Sequence, residues 1–269
     1  MQNEAIAKAC CADLYQSDMA KLIMGDSLHP GGLGLTNKLG RLMGLQAGNL
    51  VADLASAQGT SAQALSRVFH CSVLGVEFGA AAVRSACNAA PEGSTAHFVQ
   101  GDAESLPMRS AVFDAAVCEC SMSLFINKAQ AVAEVARLLR PGGKFGLSDV
   151  TIEPGSLPAD LEGELGQVLC MTDALTADGY VALLEEGGFT ITERLDASGE
   201  IAKILDEVEG KLAAFLALQN MSSSTSGVST STTSIESQLE QAPGLVTKVR
   251  KMVRAGDLGY WLFVGEKRP

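Results

Sequence analysis

The stretch Leu50-Val-Ala-Asp53-Leu-Ala-Ser-Ala-Gln-Gly59-Thr60 decides the fold of this chain. A short apolar run ends in the carboxylate of Asp53, small residues follow, and Gly59 leads into the helical pattern of residues 61–69. This order predicts a strand, a tight turn and a helix, which is how a nucleotide-binding α/β unit begins. Small side chains let a ligand approach the backbone, and the helix start offers N–H groups without intrahelical partners. An ordinary strand–helix turn capped by Ser or Thr is the alternative interpretation of this stretch alone.

The composition restricts the class of protein. Of 269 residues, 47% are hydrophobic but only 5% are aromatic, so we expect an aliphatic core, which is typical of a parallel sheet covered by helices. The net charge of −11 argues against nucleic acid or an anionic membrane surface as the main partner. No uncharged apolar run reaches the roughly 18 residues of a membrane span. The first residues lack a signal-peptide layout, so we expect a cytoplasmic protein with mostly reduced cysteines.

The N-terminal residues 1–47 are predicted to form helices and a lid loop. Residues 1–20 have helical spacing and contain Cys10-Cys11, which are either small buried residues or soft ligands near a site entrance. The loop that follows is rich in glycine and carries Asp26 and His29. Such a loop could fold over a ligand, although a connecting loop with ordinary turn hydrogen bonds is equally compatible with the sequence.

Carboxylates recur where the predicted strands end. Besides Asp53, the second strand ends in Glu77, the third is followed by Asp102, and the fourth contains Glu119 at its end. Helical patterns separate these strands, so we expect a parallel sheet with right-handed crossovers. Because ligands bind beyond the carboxyl ends of the strands in open α/β sheets, the four acids are predicted to lie on one rim.

Taken in order, these motifs resemble the class I S-adenosylmethionine-dependent methyltransferases across residues 48–195. Residues 53–59 are similar to the family's first motif, and Glu77 is similar to the acid that ends its second strand. Residues 101–107 match the stretch Gly-Asp-Ala-x-x-Leu-Pro. The later motifs are matched by Phe113-Asp114 and by Leu139-Arg-Pro-Gly-Gly143.

The resemblance implies an α/β fold, a Rossmann-like, doubly wound, mostly parallel sheet of seven strands with the last strand antiparallel. The methyltransferase domain would cover residues 48–269 and include a helical insertion at 196–257, with a mobile Ser/Thr-rich loop at 222–234. The insertion could shape the acceptor pocket or form a homodimer contact, and the sequence leaves both open.

The resemblance also implies that the cofactor is S-adenosylmethionine. Asp53 and Gly59 would line its methionine end, Glu77 would bind the ribose hydroxyls, and Asp102 would contact the adenine. The predicted cofactor-binding residues are Asp53, Ala55, Gly59, Glu77, Asp102, Ala103, Cys118 and Glu119. The first motif departs from the family's three alternating glycines, since Ala55 and Ala57 precede Gly59, and alanine keeps such a turn if its φ stays negative. A nicotinamide dehydrogenase would require Gly-x-Gly-x-x-Gly, which is absent from this stretch.

Three cysteines suggest the methyl acceptor. Cys118 and Cys120 end the fourth strand, where alternate side chains point the same way, so both thiols are expected on one side. Cys170 lies in the connection that passes over the substrate side in this fold. The arrangement is similar to the arsenite methyltransferase branch, which implies that Cys118, Cys120 and Cys170 hold trivalent arsenic while its lone pair attacks the methyl group. Thiolates suit such thiophilic acceptors, whereas the spacings match no zinc site, so no metal ligands are predicted.

Two other functions remain open. An organic small molecule could be methylated at oxygen, nitrogen or carbon, with Asp26, His29 or Glu119 as polar partners. A non-catalytic cofactor-binding or metalloid-sensing protein is the alternative from another class, supported by the glycine-poor first motif. In either case the three cysteines could be ordinary buried residues.

Overall fold

The computed structural model describes residues 29–161, 166, 170–222 and 233–269. The predictions for Cys10, Cys11 and Asp26, and for most of the Ser/Thr-rich loop, lie outside these residues. In the described part of the chain, no helix has the length and apolar character that crossing a bilayer requires.

The described residues form seven strands and seven α-helices. The strands are β1 Leu50–Leu54, β2 Ser72–Glu77, β3 Ala96–Gln100, β4 Phe113–Glu119, β5 Leu139–Ile152, β6 Phe189–Asp196 and β7 Leu258–Lys267. The helices are α1 Gly32–Leu42, α2 Thr60–Phe69, α3 Ala80–Ala89, α4 Lys128–Leu138, α5 Ala177–Glu186, α6 Gly199–Ser222 and α7 Thr233–Ala255. Short 3-10 turns follow β4 at Met122–Leu124 and β5 at Ala159–Leu161.

All seven strands belong to one sheet, in the order β3-β2-β1-β4-β5-β7-β6. The first five strands pair in parallel, and β7 runs antiparallel between β5 and β6. The predicted fold class is therefore confirmed, including its antiparallel last strand. Because β1 and β4 are neighbours at the point where the strand order reverses, the crevice at their carboxyl ends is where this fold binds ligands.

The sheet separates two apolar clusters, one on each face. Val51 of β1 and Val117 of β4 belong to the first cluster, and Ala52 and Cys118 belong to the second. This alternation is what the pleat of a fully covered strand requires. Helices α6 and α7 occupy the described part of residues 196–257, between β6 and β7.

Helix α1 is anchored directly on the sheet. A Cβ atom placed on Gly146 of β5 would lie 2.4 Å from Met43 Sδ and 3.1 Å from Leu39 Cδ1, so the missing side chain is what lets α1 approach. Leu35 and Leu39 are buried in the first cluster. The segment before β1 is therefore integral to the core, and it carries His29 and Thr36 to the carboxyl rim of the sheet.

Truncating this anchor should destabilise the protein. We expect Leu39→Ala to lower the free energy of unfolding by about 2–5 kcal/mol, because Leu39 is 1% exposed and its removal leaves a cavity. Denaturant unfolding measures the loss. The matched control is Ile126→Ala, at a side chain that is 49% exposed, where we expect a change within about 0.5 kcal/mol. Equal effects of the two substitutions would contradict the anchoring role of α1.

The turn after β1 adopts a left-handed backbone. Ala55 has φ 54°, Ala57 has φ 46° and Gly59 has φ 79°. The condition of a negative φ, under which alanine would keep such a turn without strain, is therefore not met. The turn is held in this shape by hydrogen bonds from Ser56 N to Val76 O (3.1 Å) and from Ala57 N to Glu77 Oε2 (3.0 Å). A left-handed alanine costs about 1–2 kcal/mol.

Restoring glycine should relieve this strain. We expect Ala57→Gly to raise the free energy of unfolding by about 0.5–1 kcal/mol, since the relief exceeds the entropy that glycine loses on folding. Thermal and denaturant unfolding test this. The control Ala81→Gly, on the exposed side of α3, should instead lower stability by about 1 kcal/mol. A loss of stability at both positions would show that the turn is unstrained.

Candidate active site

Three carboxylates meet at the carboxyl ends of β1, β2 and β4. Asp53 is buried, and its pKa is raised well above the usual value, first by burial and then by the charges of Glu119 and Glu77. A hydrogen bond from the backbone of Ala62 offsets part of this rise. Because nearby carboxylates repel one another when they are ionised and poorly hydrated, this group favours a ligand that carries positive charge.

Two buried polar atoms at this rim have no hydrogen-bond partner among the described residues. They are Asp53 Oδ2, beside the first turn of α2, and Ser56 Oγ, in the left-handed turn. Buried polar atoms are nearly always paired, so two unpaired atoms in one crevice indicate a place for a polar ligand. The residues present fit the amino-acid end of S-adenosylmethionine, whose ammonium group could donate to Asp53.

Glu77 supports the turn from the side of β2. Its Oε1 accepts from Gly79 N at 2.7 Å and its Oε2 accepts from Ala57 N at 3.0 Å. Burial raises the pKa of this carboxyl, and the backbone hydrogen bonds lower it in part. A carboxylate has about four acceptor positions, so at least one remains beyond the backbone contacts for the ribose hydroxyls that the family resemblance assigns to Glu77.

Asp102 and Ala103 lie in the turn after β3. Asp102 Oδ1 accepts from Glu104 N at 2.9 Å, and Ala103 is buried in the second cluster. Glu104 Oε1 in turn accepts from Ile126 N at 3.0 Å, in the loop that follows β4. This network joins two loops of the rim. The contact of Asp102 with adenine stays a prediction.

Glu119, His29 and Thr36 form a second polar group beside Asp53. Thr36 Oγ1 donates to Glu119 at 3.0 and 3.2 Å, and His29 Nε2 lies 3.7 Å from Glu119 Oε2. His29 is 3% exposed. Sequence reasoning named His29 and Glu119 but missed their pairing and the role of Thr36. The available signal was a threonine at a helical position next to buried Leu35.

The three predicted cysteines lie in two different environments. Cys120 Sγ lies 3.4 Å from Cys170 Sγ, and the Cys170 thiol donates to Cys120 O at 3.3 Å. Cys118 instead packs in the second apolar cluster, while Cys120 and Cys170 belong to the first. The expectation that Cys118 and Cys120 face one side is wrong, because Cys120 follows the end of β4 with φ 51° and breaks the alternation.

Cys118 and Cys120 lie in surroundings that raise the pKa of their thiols. Its hydrogen bond with Cys170, and then burial, raise the pKa of Cys120 well above the usual value. Burial raises the pKa of Cys118 in the same way, and the charge of Asp149 adds to the rise at both residues. All three cysteines are free thiols.

Asp149 is a buried acid that sequence reasoning missed. It is fully buried on β5, and its oxygens accept from Ser123 N at 2.9 Å and Ser123 Oγ at 3.0 Å. Burial raises its pKa to about 6. The sequence signal was the polar pair Ser148-Asp149 between the apolar residues Leu147 and Val150 of this strand.

Comparison with known proteins identifies the domain. A family model described as a methyltransferase domain matches residues 52–147. The chain is 25% identical over 167 residues to an O-methyltransferase of Pyrenophora dematioidea, covering 61% of this chain and 62% of that protein. It is 26% identical over 202 residues to an arsenite methyltransferase of Halobacterium salinarum, covering 68% of this chain and 50% of that protein. The chain thus spans between half and two thirds of the length of these two relatives.

Solved structures share the fold over almost the whole chain. The [4+2]-cyclase SpnF superposes with a TM-score of 0.74 at 20% identity, covering 97% of this chain and 95% of that chain. A Haemonchus contortus phosphoethanolamine N-methyltransferase 2 in complex with S-adenosyl-L-methionine gives 0.75 at 16% identity, covering 96% of this chain and 60% of that chain. At these identities the likeness establishes the fold alone.

The matched methyltransferase domain contains the strand ends that carry Asp53, Glu77 and Glu119. The chain therefore contains a methyltransferase domain at residues 52–147.

Proposed function

We propose that this chain transfers a methyl group from S-adenosylmethionine to a small thiophilic acceptor, with trivalent arsenic as the candidate, held by Cys120 and Cys170. The observation that carries this proposal is the 3.4 Å separation of the two sulfurs, which lie 50 residues apart in the sequence. Two sulfurs bonded to one ion at about 2.3 Å would lie less than about 4 Å apart, so the pair needs little movement to share an acceptor.

The chemistry does not require ionised thiols. Each cysteine exchanges with one hydroxyl group of arsenous acid: an S–H and an As–O bond break, and an S–As bond and one water molecule form. The raised pKa of Cys120 is therefore compatible with capture of the acceptor. When bound, S-adenosylmethionine supplies an electrophilic methyl group, so alignment of donor and acceptor is the main task of the protein. Cys120 and Cys170 would fix the acceptor in position for that alignment.

The proposal is restricted to two of the three predicted cysteines. Cys118 packs on the opposite side of the sheet from the pair. Within the part of the chain that the structure describes, no three His, Cys, Asp or Glu side chains are grouped so that they could hold a metal ion. Two protein sulfurs and one remaining hydroxyl would complete a trivalent centre.

A second candidate is methylation of an organic hydroxyl. It is favoured by relatives named O-methyltransferase and 27-O-demethylrifamycin SV methyltransferase, the latter from Amycolatopsis mediterranei. Such an acceptor needs a base only if it must lose a proton. In that case His29 and Glu119 are the candidate polar partners of the acceptor, and the two thiols would be packing residues.

Replacing the thiols separates the two candidates. We expect Cys120→Ser and Cys170→Ser each to reduce arsenite-dependent methyl transfer more than 10-fold, because a hydroxyl is a poor ligand for a thiophilic centre. Formation of S-adenosylhomocysteine in the presence of arsenite and reduced glutathione measures this. Cys87→Ser, at an exposed cysteine, is the control and should leave the rate unchanged. Unchanged turnover in both thiol variants would point to the organic acceptor. If single turnover shows no methyl loss with any acceptor, a non-catalytic binding protein is the remaining function.

Cofactor binding should depend on pH through Asp53. The pKa of Asp53 is raised in the free protein, so a fraction of its carboxyl groups stays protonated at pH values where an ordinary carboxyl is ionised. A bound cation favours the ionised form and lowers this pKa. Affinity for S-adenosylmethionine should therefore increase as pH rises through the raised pKa, and binding below that pH should release protons.

Calorimetric titration in buffers of different ionisation enthalpy measures this proton release. Asp53→Asn keeps the size of the side chain and removes the charge, so it should weaken binding about 10-fold or more and reduce the pH dependence. A pH dependence of equal slope in the Asn variant would assign the titration to another group, such as Glu77.

A further inference from the structure

We infer that the phenol of Tyr260 donates a hydrogen bond to the one oxygen that stays on the acceptor held by Cys120 and Cys170. This inference rests on the proposed function and adds a specificity-determining residue to it. When two thiols react with arsenous acid, two S–H and two As–O bonds break, two S–As bonds form, and two water molecules leave. One As–OH group remains, and in a buried site it needs a hydrogen-bond partner.

The hydroxyl groups of Ser148 and Tyr260 form a buried pair. Ser148 Oγ lies 3.0 Å from Tyr260 Oη, and both side chains are fully buried. Each hydroxyl carries one hydrogen, so the pair has two donors and this contact uses one of them. Neither hydroxyl forms another hydrogen bond within the described part of the chain. Because buried donors are nearly always paired, the donor left over indicates a place for a ligand atom.

This hydroxyl pair lies next to the acceptor cysteines. The backbone N–H of Cys120 donates to Ser148 O at 2.7 Å. Tyr260, Cys120 and Cys170 belong to the same apolar cluster, on one face of the sheet. Burial raises the pKa of Tyr260 well above the usual value, and the charge of Cys120 adds most after burial. The phenol therefore keeps its hydrogen and lies within electrostatic range of the Cys120 thiol.

The pair can turn its free hydrogen toward the acceptor. Hydroxyl hydrogens rotate, so either oxygen can be the donor in the contact between Ser148 and Tyr260. When Ser148 donates to Tyr260 Oη, the phenol hydrogen is available to the As–OH oxygen. A methyl group in place of that hydroxyl would leave the phenol hydrogen unpaired. The site should therefore select the hydroxyl form by a hydrogen bond, although the two groups are similar in size.

Tyr180 is the rival donor, because its Oη is buried and has no hydrogen-bond partner among the described residues. Burial raises its pKa, followed by the charge of Asp149 and, more weakly, by the charges of Cys170 and Cys120. Its ring packs in the second apolar cluster, with 5.8 Å between its centroid and that of Phe263. The same substitution at Tyr180 and Tyr260 therefore separates the two phenols.

The test compares two probes that differ in one group on arsenic. The reduced protein is titrated calorimetrically with arsenite and with methylarsonous acid, without cofactor, as wild type, Tyr260→Phe and Tyr180→Phe. We expect Tyr260→Phe to weaken arsenite binding about 10-fold, the scale of one lost hydrogen bond, and to leave the affinity for methylarsonous acid unchanged. Tyr180→Phe is the matched control and should change neither affinity.

A second variant tests the partner of the phenol. Ser148→Ala should weaken arsenite binding about 2- to 5-fold and spare methylarsonous acid, because the phenol can still donate but is no longer held in orientation. Thermal unfolding of each variant checks that the protein remains folded. If Tyr260→Phe does not fold, the selectivity of Ser148→Ala for arsenite decides the inference.

The outcomes separate this inference from the proposed function. Equal weakening of both probes by Tyr260→Phe, or no weakening of either, would overturn the assignment of the phenol to the acceptor oxygen. Selective weakening of arsenite by Tyr180→Phe alone would overturn it in favour of Tyr180. If the wild type binds neither probe, the proposed function itself fails, and that result is distinct from a lack of selectivity in a protein that binds both.

Discussion

The repulsion among three buried carboxylates is the constraint on which the rest of the site depends. Asp53, Glu77 and Glu119 end three strands whose parallel pairing fixes how near the acids must be. The protein offsets this repulsion with short-range donors: two backbone N–H groups for Glu77, and the hydroxyl of Thr36 for Glu119. Asp53 remains incompletely compensated, and the site is therefore poised to bind a cation.

Backbone strain is concentrated at the same rim. Of the six described non-glycine residues with left-handed φ, four lie here, namely Ala55, Ala57, Cys120 and Cys170, whereas His70 and Ala111 lie elsewhere. Residues in this conformation cost about 1–3 kcal/mol each and persist only where the surrounding structure enforces them. The first two shape the turn next to Asp53, and the last two bring together the sulfurs that lie 3.4 Å apart. The two strained alanines thus lie at the proposed cofactor site, and the two strained cysteines lie at the proposed acceptor site.

The sequence was most informative where function follows from strand order. The acids at the strand ends and the alternating helices were sufficient to predict the sheet, because parallel pairing brings carboxyl ends together. The side to which Cys120 points could not be predicted, because side chains alternate between the two faces only within a strand, and β4 ends at Glu119. The pairing of His29 with Glu119 joins residues far apart in the chain, and it depends on α1 packing against Gly146. Asp149 was missed because the polar pair Ser148-Asp149 only briefly interrupts the apolar residues at the end of β5.

The contact of α1 with β5 makes residues before the matched domain part of the core. The matched family model starts at residue 52, yet the missing side chain of Gly146 is filled by Leu39 and Met43, which precede that point. A shorter form that started at the matched boundary would expose this groove to water and would lack both His29 and Thr36. The packed core is thus longer than the matched domain, and it includes the helix that covers Gly146.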